Sequence, residues 1–366
     1  MPVELLSVGF QWPQPEASTQ MISGGADRRV RSDPAVPAGS AGTAERVRVG
    51  PGARGRRRRL AAALIAVVLL MGLQRGARAD EGGASFWVPG QFAANLAATP
   101  PSPGWSIPLT AYYYSGRAPA TASAAAAVAP GTHSQTWQLS ASPTYAPETK
   151  LLGGQLAFVL SVGLGRDATQ LDQAAPGPGS QTVRGPMDLA PAATWSWQRG
   201  AESWAVYATG NVPVGSYDSQ RLSNVGLGHA AIDGGGIYTY ESPASGHSVS
   251  AVAGVTYNFI NRNTEYRSGI DSHLGLSAML PLSDPLRAGL SGYVYYQLTG
   301  DGGSGNGCGP CKSRVAGIGP QLNYTFTVAG QQWTANLRGY CEFWARNRLE
   351  GYAMFATLAI PVGGQP

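Results

Sequence analysis

The chain has 366 residues, of which 50 are Gly and only 13% are charged. This composition is unusual for a cytosolic α/β enzyme, and a mean hydropathy of -0.11 excludes a helical membrane bundle. Residues 1–79 hold 12 Arg and 5 acidic residues, whereas residues 80–366 hold 14 Lys plus Arg and 16 acidic residues. The later part therefore lacks the basic excess that nucleic-acid binding requires.

Residues 54–79 have the three regions of a secretory signal peptide. A run of arginines at 54–59 precedes 14 apolar or small residues, 60–73, and the Ala77-Arg78-Ala79 sequence is a typical cleavage pattern. The apolar run is shorter than the roughly 20 residues of a transmembrane helix, although a membrane anchor is the alternative. Residues 1–53 show no periodicity, and we interpret them as an unstructured leader or the result of a mis-assigned start, with an unusually long charged region as the alternative.

Residues 80–104 contain Gly, Pro and aromatic side chains but no clean strand pattern. They precede the first predicted strand on the periplasmic side. We therefore predict a plug that folds into a barrel lumen, with Phe86, Trp87 and Phe92 as its apolar part. A disordered periplasmic tail is the alternative.

From residue 105 to residue 362, many segments alternate apolar and polar residues with a period of two, as β-strands do. Most candidates reach the 9–11 residues of transmembrane strands, whereas ordinary strands average about 5–6. The twelve predicted strands are 105–116, 135–145, 151–165, 187–198, 203–214, 235–241, 247–260, 271–281, 287–299, 313–326, 332–343 and 349–362.

The connections between these strands alternate between short turns and mostly longer loops, which is how outer-membrane barrels are built. A lipid environment also demands closure, because an open sheet edge would leave backbone groups unsatisfied in hydrocarbon. The sequence therefore predicts an all-β, antiparallel, up-and-down transmembrane barrel of about twelve strands in the bacterial outer membrane. A soluble sandwich with an aromatic core is the alternative.

Polar residues on the inner face of a barrel are the candidates for a transport path. Arg338, Tyr340 and Glu342 share the predicted inward face of one strand. Strand rise separates Arg338 from Glu342 by about 13 Å, so they are not a direct pair. Their side chains either line a transport path or form bonds to neighbouring strands. A polar loop carries Asp218, Arg221 and Asn224, and it is either an inward-folded constriction or an ordinary hydrated loop.

Cys308 and Cys311 lie in a Gly-rich stretch with C-x-x-C spacing. No second Cys or His pair lies at zinc spacing, and no βαβ pattern surrounds the motif as a thioredoxin-like site requires. The simplest interpretation is a small loop disulfide formed in an oxidising compartment.

No enzymatic motif is evident in the sequence. It contains four His residues but no G-x-S-x-G nucleophile elbow, P-loop or dinucleotide fingerprint. His273 has no acidic ligand at metal spacing, and we interpret it as a polar lumen or loop residue. We therefore expect neither catalysis nor a cofactor.

Several segments resemble, in the right order, the outer-membrane family labelled "putative MetA-pathway of phenol degradation", or SphA-like transporters. They are Glu81–Gly90, Val212–Asp218 with Arg221–Asn224, Asn263–Gly269, Arg314–Gln321 and Asn347–Gly351. The sequence departs from the family at Val214, where a Thr commonly precedes the Gly, and the Cys308/Cys311 pair is a local addition.

The resemblance implies a barrel channel or transporter for small hydrophobic compounds, aromatic ones among them, that works by passive diffusion. The expected partners are outer-membrane lipid, such solutes and the barrel-assembly machinery, and we expect no nucleic acid. The alternatives are a structural or adhesive barrel with a filled lumen and, from a third class, a barrel lipid hydrolase.

Overall fold

The computed structural model describes residues 83–92, 99–118, 131–171, 179–305 and 310–362, all of which belong to one compact unit. The predicted leader at 1–53 and signal peptide at 54–79 lie outside the described residues. Among the residues that are described, no helix is long and apolar enough to cross a membrane.

The described residues form fourteen β-strands in a single sheet. In chain order they are β1 Gly104–Arg117, β2 His133–Ala141, β3 Thr144–Ala146, β4 Gln155–Gln170, β5 Ser180–Pro186, β6 Ala190–Arg199, β7 Glu202–Asn211, β8 Ala231–Glu241, β9 Ser248–Asn258, β10 Asp271–Pro281, β11 Leu286–Gln297, β12 Arg314–Val328, β13 Gln331–Arg346 and β14 Glu350–Val362.

The sheet is antiparallel, and it closes on itself because β1 pairs with β14 from Trp105↔Val362 to Arg117↔Glu350. Two of the twelve crossings are interrupted. Together β2 and β3 form one crossing, with a break at residues 142–143, and β5 and β6 form another, with a break at 187–189. Both members of each broken crossing pair with β4. The prediction of an antiparallel barrel of about twelve strands is therefore confirmed.

The connections alternate as predicted. Short turns join β6 to β7, β8 to β9, β10 to β11 and β12 to β13. The connections at the opposite end are longer: residues 212–230 and 259–270 form two loops, and residues 298–305 and 310–313 belong to a third connection. We call these two ends the turn end and the loop end. In outer-membrane barrels the longer loops face the cell exterior.

The barrel has an apolar exterior and a polar interior, the reverse of a soluble protein. On β11 the outward Leu290 is 58% exposed, whereas the inward Tyr295 is fully buried. On β13 the outward Leu337 is 46% exposed, and the inward Asn336 is 2% exposed. Large apolar side chains in this position are stable only in lipid, so the pattern places the barrel in a membrane.

Most strand boundaries differ from the prediction by a few residues, and two of the differences have an identifiable cause. The strand predicted at 235–241 begins at Ala231, because Asp233 is a buried inward residue that the apolar pattern could not assign. The strand predicted at 187–198 is preceded by β5 in the same crossing. Asp188 lies at the break between β5 and β6 and makes its bonds to the loop that follows β7.

Candidate functional site

Residues 83–92, which we call the lumen segment, lie inside the barrel against β10–β14. Trp87 is only 1% exposed and is the largest fully buried side chain among the described residues. Its ring stacks on His273 at 4.4 Å between centroids and lies 6.3 Å from Tyr295 and 6.0 Å from Tyr293. The ring of Phe92 packs against that of Tyr207 on β7, with 5.1 Å between the ring centroids.

Arg338 on β13 bonds the lumen segment directly. Its Nε donates to the carbonyl oxygen of Gly90 at 3.0 Å, and its Nη2 donates to that of Gln91 at 2.7 Å. The guanidinium lies 4.4 Å from the ring centroid of Phe355 on β14. A buried cation that donates to two carbonyls fixes the segment, because hydrogen bonds to charged groups are stronger than those between neutral groups.

Tyr340 shapes the surface on which the lumen segment lies. Gly90 has a φ of +79°, and a Cβ placed there would come within 2.5 Å of the Tyr340 ring. The Tyr340 hydroxyl accepts a bond from Ser291 at 3.1 Å. This position therefore needs Gly both for its backbone conformation and for its close approach to the wall.

Glu342 accepts hydrogen bonds from β1, β11 and β14 and forms no ion pair with Arg338. Its carboxylate accepts from the hydroxyls of Tyr114 at 2.9 Å and Tyr293 at 2.7 Å, and from the Gly351 amide at 3.0 Å. Glu342 also lines the lumen cavity. Arg348 lies over Tyr295 at 4.4 Å and donates to Ser85 at 3.4 Å, which adds a second arginine contact to the lumen segment.

A buried polar cluster beneath the lumen segment was not identified from the sequence. His273 Nε2 lies 3.0 Å from Asp233 Oδ2 and 3.2 Å from the Tyr207 hydroxyl. Thr256 donates to the same Asp233 oxygen at 2.5 Å. The prediction that His273 is a polar lumen residue agrees with this position. No local sequence pattern indicated this cluster, because the carboxylate partner of His273 lies on β8, 40 residues earlier in the chain.

The loop between β7 and β8 folds against the inner wall near β4 and β5. Asp188 accepts bonds from the amides of Gly215 at 2.7 Å and Leu227 at 2.8 Å. Further along the loop, Ser223 donates to Asp167 at 2.5 Å. The loop is therefore held by carboxylates of the barrel wall at both ends and at its middle.

Within this loop, Asp218, Arg221 and Asn224 lie together. The Asp218 amide donates to Asn224 Oδ1 at 2.9 Å, and Asn224 Nδ2 donates back to the Asp218 carbonyl at 3.1 Å. Arg221 and Asp218 form an ion pair of 3.7 Å, with both side chains more than one third exposed. Arg221 and Asn224 also line the cavity below.

A cavity of about 1140 Å³ extends along the lumen beside the lumen segment. One side is formed by Phe86, Val88 and Phe92, and the wall opposite is rich in hydroxyl groups. These wall residues come from β1, β2, β4, β6 and β7 and the break after β2, and they are Thr110, Ser134, Thr136, Ser140, Ser142, Ser161, Thr194 and Thr209. The cavity therefore offers an apolar face and a neutral hydrogen-bonding face to a solute.

Only one cysteine of the predicted disulfide, Cys311, is among the described residues. Cys308 lies outside the described residues, so its pairing with Cys311 stays a prediction. Cys311 is disulfide-bonded, and Cys341, on the outward face of β13, is free.

A closed sheet with an apolar exterior and a polar lumen defines an outer-membrane β-barrel of twelve crossings, with an N-terminal segment inside it. The chain belongs to the family described as putative MetA-pathway of phenol degradation, whose family model matches residues 115–358. No curated protein matches the chain.

The chain matches solved structures of other proteins at low sequence identity. An outer membrane channel from Pseudomonas putida F1 has a TM-score of 0.56 at 12% identity, covering 75% of this chain and 100% of that one. The translocator domain of the autotransporter NalP from Neisseria meningitidis has a TM-score of 0.42 at 14% identity, covering 74% and 92%. A FadL homologue of Pseudomonas aeruginosa has a TM-score of 0.39 at 9% identity, covering 78% and 98%.

Proposed function

We propose that this protein is an outer-membrane channel that passes small hydrophobic solutes, aromatic ones among them, by passive diffusion. The observation that carries the proposal is the cavity of about 1140 Å³ beside the lumen segment. It is lined by Tyr217 and Asn263 near the loop end and by Ser142 and Thr194 nearer the turn end. A space with this extent offers a path along the barrel. Membership of the phenol-degradation family and the fold shared with the Pseudomonas putida outer membrane channel support the same function.

The lining supports neutral solutes over ions. Most polar side chains of the hydroxyl-rich wall are uncharged, and the lumen segment opposite contributes aromatic and aliphatic side chains. A solute with a ring and few polar groups can therefore pack against Phe86 or Phe92 while it exchanges hydrogen bonds with the wall. The charged residues of the cavity, such as Asp167 and Glu342, already hold partners from the wall.

We further propose that the lumen segment is the plug of this channel. Trp87 packs against inward side chains of β10 and β11, and Arg338 and Arg348 each hold a different part of the segment. Because the segment occupies one side of the lumen and leaves the cavity on the other, the channel is narrowed rather than sealed. The loop that contains Asp218, Arg221 and Asn224 forms the constriction at the loop end.

Current block in a planar bilayer tests the solute class. With the full chain purified from outer membranes, benzyl alcohol should reduce the single-channel current, whereas benzoate of the same size should reduce it much less. Equal block by both compounds would contradict a neutral path. Absence of any conductance in a folded barrel would favour the structural or adhesive alternative, for which the buried Trp87 is the supporting observation.

The proposal includes no catalysis. Among the described residues, no group of three or more His, Cys, Asp or Glu side chains is arranged to hold a metal ion. The outward apolar stripe of β14, which includes Tyr352 and Met354, is the part that we expect the barrel-assembly machinery to bind.

A further inference from the structure

Two pairs of arginines lie directly opposite each other on neighbouring strands. Arg166 on β4 is in register with Arg184 on β5. Arg314 on β12 is in register with Arg346 on β13, next to a β-bulge at which the register shifts between Arg314 and Ala316. Both pairs lie toward the loop end of their strands. Arg166 shares its face with the outward Leu164, which is 65% exposed, so its side chain faces the lipid side and not the lumen.

Like charges directly opposite each other on paired strands are destabilising unless a counter-charge lies between them. Among the described residues, none of the four arginines has a carboxylate within salt-bridge distance. The acid next in sequence to Arg166 is Asp167, which points inward to Thr136. Elsewhere at the loop end, Arg117 of β1 lies opposite Glu350 of β14. At that position the barrel supplies its own counter-charge.

Both pairs lie where the apolar surface of the barrel ends. On β4 the outward residues Phe158, Leu160, Val162 and Leu164 are all exposed and apolar, and Arg166 follows them. An exposed tryptophan accompanies each pair. Trp137, 53% exposed, is in register with Arg166, and the ring of Trp344 lies 4.4 Å from the Arg314 guanidinium carbon. Tryptophans at this height mark the membrane–water interface.

The cations at the turn end differ in their partners. Arg199 on β6 is in register with Glu202 on β7, and Arg287, on the inward face of β11, forms an ion pair of 3.1 Å with Glu241. In the described part of the barrel, the two arginine pairs without a carboxylate partner therefore both lie at the membrane interface of the loop end. Loops of this length face the exterior in outer-membrane barrels, so the adjacent lipid is that of the outer leaflet.

We propose that each arginine pair binds a phosphate group of the lipid A that fills the outer leaflet. Two guanidinium groups on adjacent strands can each donate two parallel hydrogen bonds to phosphate oxygens, and the shared anion removes the repulsion between them. The Arg314 Nε is buried without a hydrogen-bond partner among the described residues, so a phosphate would bind the terminal nitrogens of this guanidinium. The acyl chains of the lipid would lie along the exposed leucines below. This inference rests on the barrel and its membrane location and does not depend on transport.

The test measures the thermal unfolding midpoint of the full-length protein in detergent. Unfolding is monitored as the loss of the fast-migrating folded band on a gel run without boiling the sample. Lipid A with both phosphates should raise the midpoint by several degrees. Lipid A stripped of its phosphates, and inorganic phosphate at the same concentration, should leave it unchanged. The variants R166Q/R184Q and R314Q/R346Q should each lose part of the rise, and the fourfold variant should lose it all.

The control variant is K150Q/R199Q, which removes two exposed cations at the turn end and should retain the full rise. An equal rise with phosphate-free lipid A would overturn the proposal without the need for any variant to fold. An equal rise with inorganic phosphate would show a free-anion site and would also overturn the assignment to lipid. An undiminished rise in the fourfold variant would exclude these arginines.

Discussion

Replacing Arg338 by Met should open the channel, because this change removes the two hydrogen bonds that hold the lumen segment at Gly90 and Gln91. Hydrogen bonds to charged groups contribute about 1.5–3 kcal/mol each, so docking of the segment should weaken by about 3–6 kcal/mol. A tenfold change in an equilibrium constant corresponds to about 1.4 kcal/mol, so the ratio of docked to undocked segment should fall on the order of 10² or more. Met can still pack against Phe355, which limits damage to the wall itself.

The assay is single-channel recording of wild type and R338M in planar bilayers, with R199M as a control that removes an exposed arginine from a turn. R338M should show a larger open-state occupancy, and R199M should match the wild type. The same substitution made in a variant that lacks residues 83–92 should have no further effect, because Arg338 would then have nothing to hold. A folded R338M barrel with wild-type conductance would refute the reasoning, as would an equal increase in the deletion background.

Three further perturbations follow from the same contacts. Gly90→Ala should raise conductance more than Gly153→Ala, because both glycines have positive φ but only at Gly90 would the new Cβ meet a tyrosine ring; equal conductance would contradict this. Asp188→Asn should speed tryptic cleavage at Arg221, since an NH2 group replaces one of the two carboxylate oxygens that accept from loop amides; an unchanged cleavage rate would show that the loop is held otherwise. Leu276→Arg, at an outward position 52% exposed, should cost about 2–4 kcal/mol of folding in lipid and reduce the heat-modifiable band; a normal band would argue against lipid contact there.

The barrel could be predicted from the sequence because its signals are local. Period-two alternation assigns each face of a strand, and β11 and β13 have the faces that the pattern predicted, with Leu290 and Leu337 outward and Tyr295 and Asn336 inward. The alternation of turns and loops fixed the strand order without any knowledge of long-range contacts.

Features that depend on contacts between distant strands could not be predicted from the sequence. The buried pair of His273 and Asp233 joins strands that are far apart in sequence, and neither residue carries a local signature. The break at Asp188 could not be expected from periodicity, because its reason is a loop that returns to that carboxylate. The aromatic content of residues 80–104 did indicate an ordered segment, but which arginine would hold it depended on how strands meet across the lumen.

The proposal that residues 83–92 plug a conducting barrel is tested most directly by deleting them and measuring conductance. Wild type and the deletion variant would both be purified from outer membranes, shown to be folded by a heat-modifiable gel band, and placed in planar bilayers at the same salt concentration. The proposal predicts small conductance steps for the wild type and clearly larger steps for the deletion variant, because the space filled by Trp87 and its neighbours becomes open to ions. Equal conductance in two folded barrels would contradict the plug, and no conductance in either would contradict the channel.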